Sequence, residues 1–326
     1  MSAHTRTPGD TYGRRDLARF AIAGLAAPLF GVFDNVASGR ARSDVAVGGV
    51  RLGVHSSSFR DAPNTPGSDT VDTLIQAMTE CDVRDCELFA PLVEPAFGGH
   101  AAQHHAAMSS MSPQMMRREL RKWRLRTPLA HFTSIGSRLR NAGVAVHAYN
   151  YSPDSTFSDE EIDRGFSMAR ALGAEIVTAS MRVDIAKRVA PFADTHRMVV
   201  ALDGQRRTKD PKQVTSPAEL AAALTLSPYF KVNVDLGQFT ASNVDPVAYI
   251  RDHHAEIMSI HLKDCRKTGG EPVAWGQGDA PIREVLQLLK RERWPIRASV
   301  EYDYQGTGTP VEEVKRCVAY ANHVLA

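Results

Sequence analysis

Asp203, Asp235, His261 and Glu301 each follow a short apolar run. A carboxylate at the end of a buried run is costly unless it is paired or bound to a cation. Three carboxylates and an imidazole gathered at one point would repel one another, and a divalent ion removes that repulsion. The mixed oxygen and nitrogen set suits Mn2+, Mg2+, Co2+ or Zn2+ rather than a thiolate-seeking metal. The competing reading is that each group caps a helix or pairs with an Arg or Lys by itself. Four such groups in successive runs favour one shared ion. Other polar groups hold similar positions: His55 and Ser56, Glu87, Tyr149-Asn150-Tyr151, Ser180, Gln238, the pair Lys263-Asp264, and Tyr302-Asp303.

The elements that must position these groups are short β-branched runs alternating with segments of helical period. The runs are 50–59, 85–90, 144–149, 175–179, 197–202, 230–235, 257–262 and 296–302. Between them, 69–79 reads as a helix. Ser158-Asp159-Glu160-Glu161 forms a capping box ahead of 162–172, which Gly173 ends. Ser216-Pro217 opens 218–224, and Pro281-Ile282 opens a helix to Arg291. Eight such units predict an α/β fold, a (β/α)8 TIM barrel, whose usual size is about 250 residues. A doubly wound open sheet is the rival, but no G-x-G-x-x-G follows the first run. In a barrel the strand ends share one face, which is where catalytic groups sit. Residues 91–128 interrupt the rhythm after strand two. They carry Gly98-Gly99-His100, His104-His105 and a basic helix from Met115 to Arg126. A lid and a surface embellishment are equally good readings of this insertion. Its histidines read as a solvated loop ahead of a metal site.

The chain has 326 residues, of which 43% are hydrophobic and 23% charged. That excludes a largely disordered chain. A net charge of +2 offers no clustered basic excess for nucleic acid. Four Cys are too few for a disulfide scaffold, so Cys81, Cys86, Cys265 and Cys317 read as free thiols, with pairing left open.

Gly13-Arg14-Arg15-Asp16-Leu17-Ala18-Arg19 leads into an apolar run from Phe20 to Phe33. The run is shorter than the roughly 20 residues that span a membrane. The segment resembles a twin-arginine export signal, with small residues at Ala37 and Ala41 for cleavage. An uncleaved amphipathic helix is the alternative. The resemblance divides the chain into a signal peptide and linker, 1–44, and a barrel, 45–326. It implies periplasmic residence without stable membrane insertion after cleavage. Homo-oligomers are left open.

Four stretches carry a second resemblance: Val232-Asn233-Val234-Asp235-Leu236-Gly237-Gln238-Phe239, Ile260-His261-Leu262-Lys263-Asp264, Trp275-Gly276-Gln277-Gly278-Asp279 and Ser299-Val300-Glu301-Tyr302. They resemble the sugar phosphate isomerase/epimerase family, with its xylose-isomerase-like TIM barrel, over roughly 48–322. The resemblance implies that Asp235, His261 and Glu301 are ligands of one divalent metal ion. Asp203 stands where the family has a Glu that is both ligand and acid/base. It implies substrate-binding roles for Lys263 and Asp264 at the edge of the site and for Glu87 in the second strand. His55 and Gln238 are read as orienting sugar hydroxyls. Asp203 is one methylene shorter than the family's Glu, and Gln238 replaces a His that could exchange a proton.

The reaction implied is a metal-dependent sugar isomerisation or epimerisation. A proton next to a carbonyl leaves, giving an enediolate. Glu301 is the expected base and Asp203 the expected acid on the opposite side. A lyase or hydratase acting on 3-keto-glycosides begins with the same proton abstraction and then expels a group. A degenerate barrel that binds carbohydrate without turnover is the reading from another class. Phosphodiester cleavage, as in related DNA-repair barrels, fits poorly because those use many more His and Glu ligands.

Overall fold

The computed structural model of the chain describes residues 46–63, 69–95, 111–203 and 216–326. The export-signal segment and His100, His104 and His105 lie outside the described residues. A two-residue strand, β1 (Ala46–Val47), pairs antiparallel with β2 (Val50–His55). Seven more strands follow in order: β3 (Asp85–Phe89), β4 (Ala145–Asn150), β5 (Ile176–Ser180), β6 (Val199–Asp203), β7 (Phe230–Asp235), β8 (Ile257–Leu262) and β9 (Arg297–Val300). Each from β2 to β9 is parallel to the next, and β2 pairs with β9, with Gly53 opposite Ser299 and Val54 opposite Val300. The sheet therefore closes into an eight-stranded barrel, and the open-sheet rival is excluded.

Local chemistry explains where the elements stop. The first run, expected to be extended to Phe59, leaves the sheet after His55 and turns as a 3-10 helix over Ser56–Phe59. Its hydroxyls take amides from neighbouring strand ends: Phe89 N donates to Ser56 Oγ at 2.8 Å, and Tyr302 N to Ser58 Oγ at 2.9 Å. A side chain thus replaces the ladder bond that a continuing strand would supply.

Ten α-helices are described. α1 (Thr70–Glu80) starts on Asp69, whose carboxylate accepts from Asp72 N. α2 (Pro113–Arg126) and α3 (Leu129–Asn141) both lie between β3 and β4. α4 (Asp159–Leu172) carries the expected Ser158–Glu161 capping box and ends on Gly173 at φ 87°, a left-handed position suited to glycine. α5 (Val183–His196), α6 (Pro217–Leu224), α7 (Leu236–Ala241), α8 (Pro246–His253), α9 (Ile282–Glu292) and α10 (Pro310–Leu325) complete the ring. Among the described residues no helix is long and apolar enough to cross a membrane.

The basic helix of the insertion is α2, and arginines tie it to the barrel wall. Arg117 makes paired bonds of 3.0 and 3.1 Å to Glu161, and Arg121 adds one of 2.7 Å. Arg124 grips both oxygens of Glu94 at 2.7 Å. The guanidinium groups of Arg117 and Arg124 also lie over Phe157, 4.1 and 4.7 Å from its ring centre. Burial would raise the Glu161 carboxyl, but its arginine partners and the Ser158 amide outweigh it and hold it below the usual range. These contacts make the described part of the insertion a fixed buttress.

Candidate active site

The strand register gathers the predicted residues. Asp203 ends β6, opposite Ser180 on β5, and Asp235 ends β7, opposite His261 on β8. Glu301 follows β9, and its amide donates to Leu262 O at 3.1 Å. Asp235 serves two neighbours. Its Oδ1 caps α7 by accepting from Gln238 N at 2.9 Å, and its Oδ2 lies 3.1 Å from Lys263 Nζ.

His261 is the hub. Its Nε2 meets Glu87 Oε2 at 2.9 Å. Its Nδ1 faces Glu301 Oε2 at 3.2 Å and Asp203 Oδ2 at 3.8 Å. One ligand atom from each of Asp203, Asp235 and His261 falls within a 4.8 Å cluster. His261 Nδ1 and Asp203 Oδ1 are buried atoms with no hydrogen-bond partner, and Glu301 Oε2, equally buried, faces Lys263 Nζ. Buried polar atoms are rarely left so. Two orphaned atoms of ligand type, beside the carboxylates of Asp235 and Glu301, fit a hard or borderline divalent ion with mixed O and N ligands. The other positive group present is Lys263, whose Nζ also lies 3.1 Å from Glu301 Oε2 and 3.2 Å from Asp303 Oδ2.

Charge follows geometry. Burial pushes the Asp203 carboxyl up to about 8, with Asp235 and Glu301 adding to the rise and His261 opposing it. Against the pull of burial, Lys263 and His261 hold Glu301 well below the carboxylate range. Burial also works against the charge of Lys263, yet Asp235, Glu301 and Asp303 raise it well above its ordinary value. The His55 ring is lowered by burial. Two carboxyls with opposite shifts are thus neighbours of one imidazole, an arrangement seen where one group donates and another accepts protons.

The remaining predicted residues fall into three groups. Lys263 and Gln238 stay with the site: Gln238 N donates to Asp235 Oδ1, and Gln238 Oε1 is a buried atom without a partner. His55 lies under the site: Nδ1 is 2.5 Å from Ser57 Oγ and Nε2 is 3.6 Å from Glu87 Oε1. Two expectations need correcting. Glu87 has a side-chain exposure of 0% and so presents no surface to a substrate. The carboxylate of Asp264 is committed to the loop after β8. Its Oδ2 accepts from Gly276 N at 2.8 Å and Gly278 N at 3.0 Å, and its Oδ1 from Ala280 N at 3.1 Å. A Cβ at Gly278 would stand 2.1 Å from Asp264 Oδ1, so the loop needs glycine there. Asp264 therefore anchors the loop instead of meeting substrate.

Several residues that shape the site were not singled out from sequence. Asn233 Nδ2 lies 3.1 Å from His261 Nε2, and Thr178 Oγ1 donates to Glu87 Oε1 at 2.5 Å. Asp303, a polar group the sequence already marks at the end of the last run, supplies the third carboxylate on Lys263. The two-residue period of a strand puts Asn233 on the face of Asp235, Ser259 on that of His261 and Ser299 on that of Glu301. A polar residue two positions before each candidate was the signal that could have found the first of these.

No protein-family model and no curated protein matches the sequence. Solved structures do match. The 3-keto-D-glucoside 4-epimerase YcjR from E. coli is 10% identical, with 84% of this chain and 99% of that chain covered at a TM-score of 0.59. D-psicose 3-epimerase is 12% identical, covering 85% of this chain and 99% of its own at a TM-score of 0.59. The probable 3-DHS dehydratase AsbF from Bacillus anthracis is 14% identical, with 83% and 98% covered at a TM-score of 0.57. At such identities the likeness is one of fold. The chain has the (β/α)8 barrel of the xylose-isomerase-like proteins.

Proposed function

We propose that the chain is a metal-dependent isomerase or epimerase of a small-molecule sugar or glycoside. The observation that carries this reading is the convergence of Asp203, Asp235, His261 and Glu301, with His261 Nδ1 and Asp203 Oδ1 buried and unpartnered. One divalent ion held by these four residues would supply Lewis acidity to neighbouring oxygens of the sugar. Glu301, kept ionised, takes the proton from the carbon beside the carbonyl. Asp203 returns one from its own strand end. Return to the same carbon from the other side inverts it, and return to the neighbouring carbon isomerises the sugar. Lys263 and Gln238 hold hydroxyls by donating and accepting hydrogen bonds.

The reading is tested in two steps. Protein purified without chelator is analysed for bound metal. Ketoses and 3-keto-glucosides are then incubated with it in deuterated water. Deuterium entering the substrate with the wild type, and none with Glu301→Gln that still binds metal, is the expected result. Exchange by Glu301→Gln at the wild-type rate removes Glu301 as the base. Elimination from the same enediolate is the second reading, supported by the dehydratase that shares the fold. An unsaturated keto-sugar with a released aglycone would decide for it. Absence of stoichiometric metal in wild type would instead favour a carbohydrate-binding barrel without turnover.

A further inference from the structure

Glu87 is not a ligand in the reading above, and it cannot reach a substrate. It is nevertheless held by four neighbours. Oε2 meets His261 Nε2 at 2.9 Å, while Thr178 Oγ1 donates to Oε1 at 2.5 Å and Asn150 Nδ2 lies 3.4 Å from the same atom. His55 Nε2 stands 3.6 Å from Oε1. The strand register shifts between Cys86 and Glu87 where β3 pairs β4, an irregularity of the kind that re-aims a side chain. Two donors on Oε1 stop the carboxylate from rotating, so Oε2 stays directed across the barrel at β8.

A carboxylate only accepts, so its contact with Nε2 requires a proton on that nitrogen. With a divalent ion in place of the Nδ1 proton, the imidazole is neutral, with its one N–H on Nε2 and a lone pair on Nδ1. That lone pair faces Asp203 and Glu301, both acceptors when ionised. Asn233 sits 3.1 Å from the same Nε2–H. With its amide turned over, Asn233 accepts from that N–H and donates to Ser259 Oγ, since amide O and N are interchangeable in position.

We propose that Glu87 is a positioning residue: it locks the His261 proton on Nε2 and so presents Nδ1 as a ligand to the divalent ion. The inference rests on the metal-dependent reading and adds to it the agent that fixes the ligand's tautomer. Carboxylates behind metal-bound histidines act in this way elsewhere, and their loss costs about 10–100-fold in metal affinity. Glu87→Gln has a specific consequence here. Thr178 and Asn150 hold the amide oxygen at the Oε1 position, so the NH2 group faces His261 Nε2. Nε2 must then accept, and the ring proton moves to Nδ1, the ligand position.

The experiment is Mn2+ titration by calorimetry of wild type, Glu87→Gln and Asp235→Asn, with folding checked by circular dichroism. The expected result is wild-type binding of one Mn2+, with Glu87→Gln weakened on the order of 10–100-fold. Wild-type affinity in folded Glu87→Gln overturns the role of Glu87 while leaving the metal reading intact. No binding by wild type overturns both. A second measurement needs no variant: long-range 1H–15N correlation spectra of wild type loaded with Zn2+. A protonated Nε2 and a metal-bound Nδ1 on His261 support the proposal, and ligation through Nε2 overturns it.

Discussion

Asp264→Asn separates a loop anchor from a substrate contact. The change preserves shape and replaces one oxygen by an NH2 group. Asp264 is 2% exposed, and its carboxylate takes three backbone amides, from Gly276, Gly278 and Ala280. With the amide oxygen kept on Gly276 and Gly278, two charge-assisted bonds become neutral, a loss of about 1 kcal/mol each. The NH2 group then opposes Ala280 N–H, and the broken bond costs about 1–3 kcal/mol more. The expected loss of stability is therefore about 3–5 kcal/mol. At about 2–4 °C per kcal/mol for a domain of this size, the melting temperature falls by about 10 °C. Thermal unfolding by circular dichroism reads the shift. Hydrogen exchange at Gly276, Gly278 and Ala280 localises it. Mn2+ affinity, measured in parallel, is expected to stay within about twofold, or 0.4 kcal/mol. An unchanged melting temperature would refute the anchoring argument. An unchanged melting temperature with weakened Mn2+ or sugar binding would return Asp264 to the substrate edge that its sequence neighbourhood implied.

Four further outcomes follow from named contacts. Lys263→Met removes an ammonium that touches Asp235, Glu301 and Asp303, and Mn2+ binding is expected to tighten; calorimetry showing weaker binding would mean that Lys263 supports the ion instead of competing with it. Burial would raise Asp85, but His147 and Arg297 outweigh it and hold its carboxyl below the usual range, so its contribution to stability is present above about pH 4 and lost as pH falls through the depressed value; Asp85→Asn should flatten the acid limb of a stability–pH curve, and an unaltered limb would discard the cluster as its cause. Cys81, Cys86 and Cys317 are buried free thiols, and burial pushes Cys81 up to about 11 and Cys317 up to about 12, so a thiol reagent at pH 8 should label none of the three until denaturant is added; rapid native labelling would contradict this. Replacing both Arg14 and Arg15 by Lys should abolish export of a reporter fused after residue 44, and export at the original level would remove the twin-arginine reading.

The buttress of the insertion has a bearing on any lid. Arg117, Arg121 and Arg124 share two buried carboxylates and two aromatic rings, so α2 moves only if several charged groups lose their partners together. Breaking such a pair by removing one member costs about 3–5 kcal/mol.

Much of the architecture was legible residue by residue. β7 and β8 run over 230–235 and 257–262 as their apolar patterns predicted, α4 begins at its Ser158–Glu161 box and α6 at Ser216-Pro217. These signals act over one to four residues, within reach of a single strand or turn. Asp235, His261 and Glu301 were legible for the same reason, since the end of an apolar run is a local feature. The partners of those residues were not. Glu87 and His261 are 174 positions apart, and only closure of the barrel brings β3 to face β8. Lys263 meets Asp303 by the same cross-strand geometry, whereas Asp264, next in sequence, points the opposite way because successive side chains leave a chain end on opposite sides. Local pattern chose the chemical groups; the pairing of distant strands chose which of them share a proton, which share a cation, and which merely hold a loop.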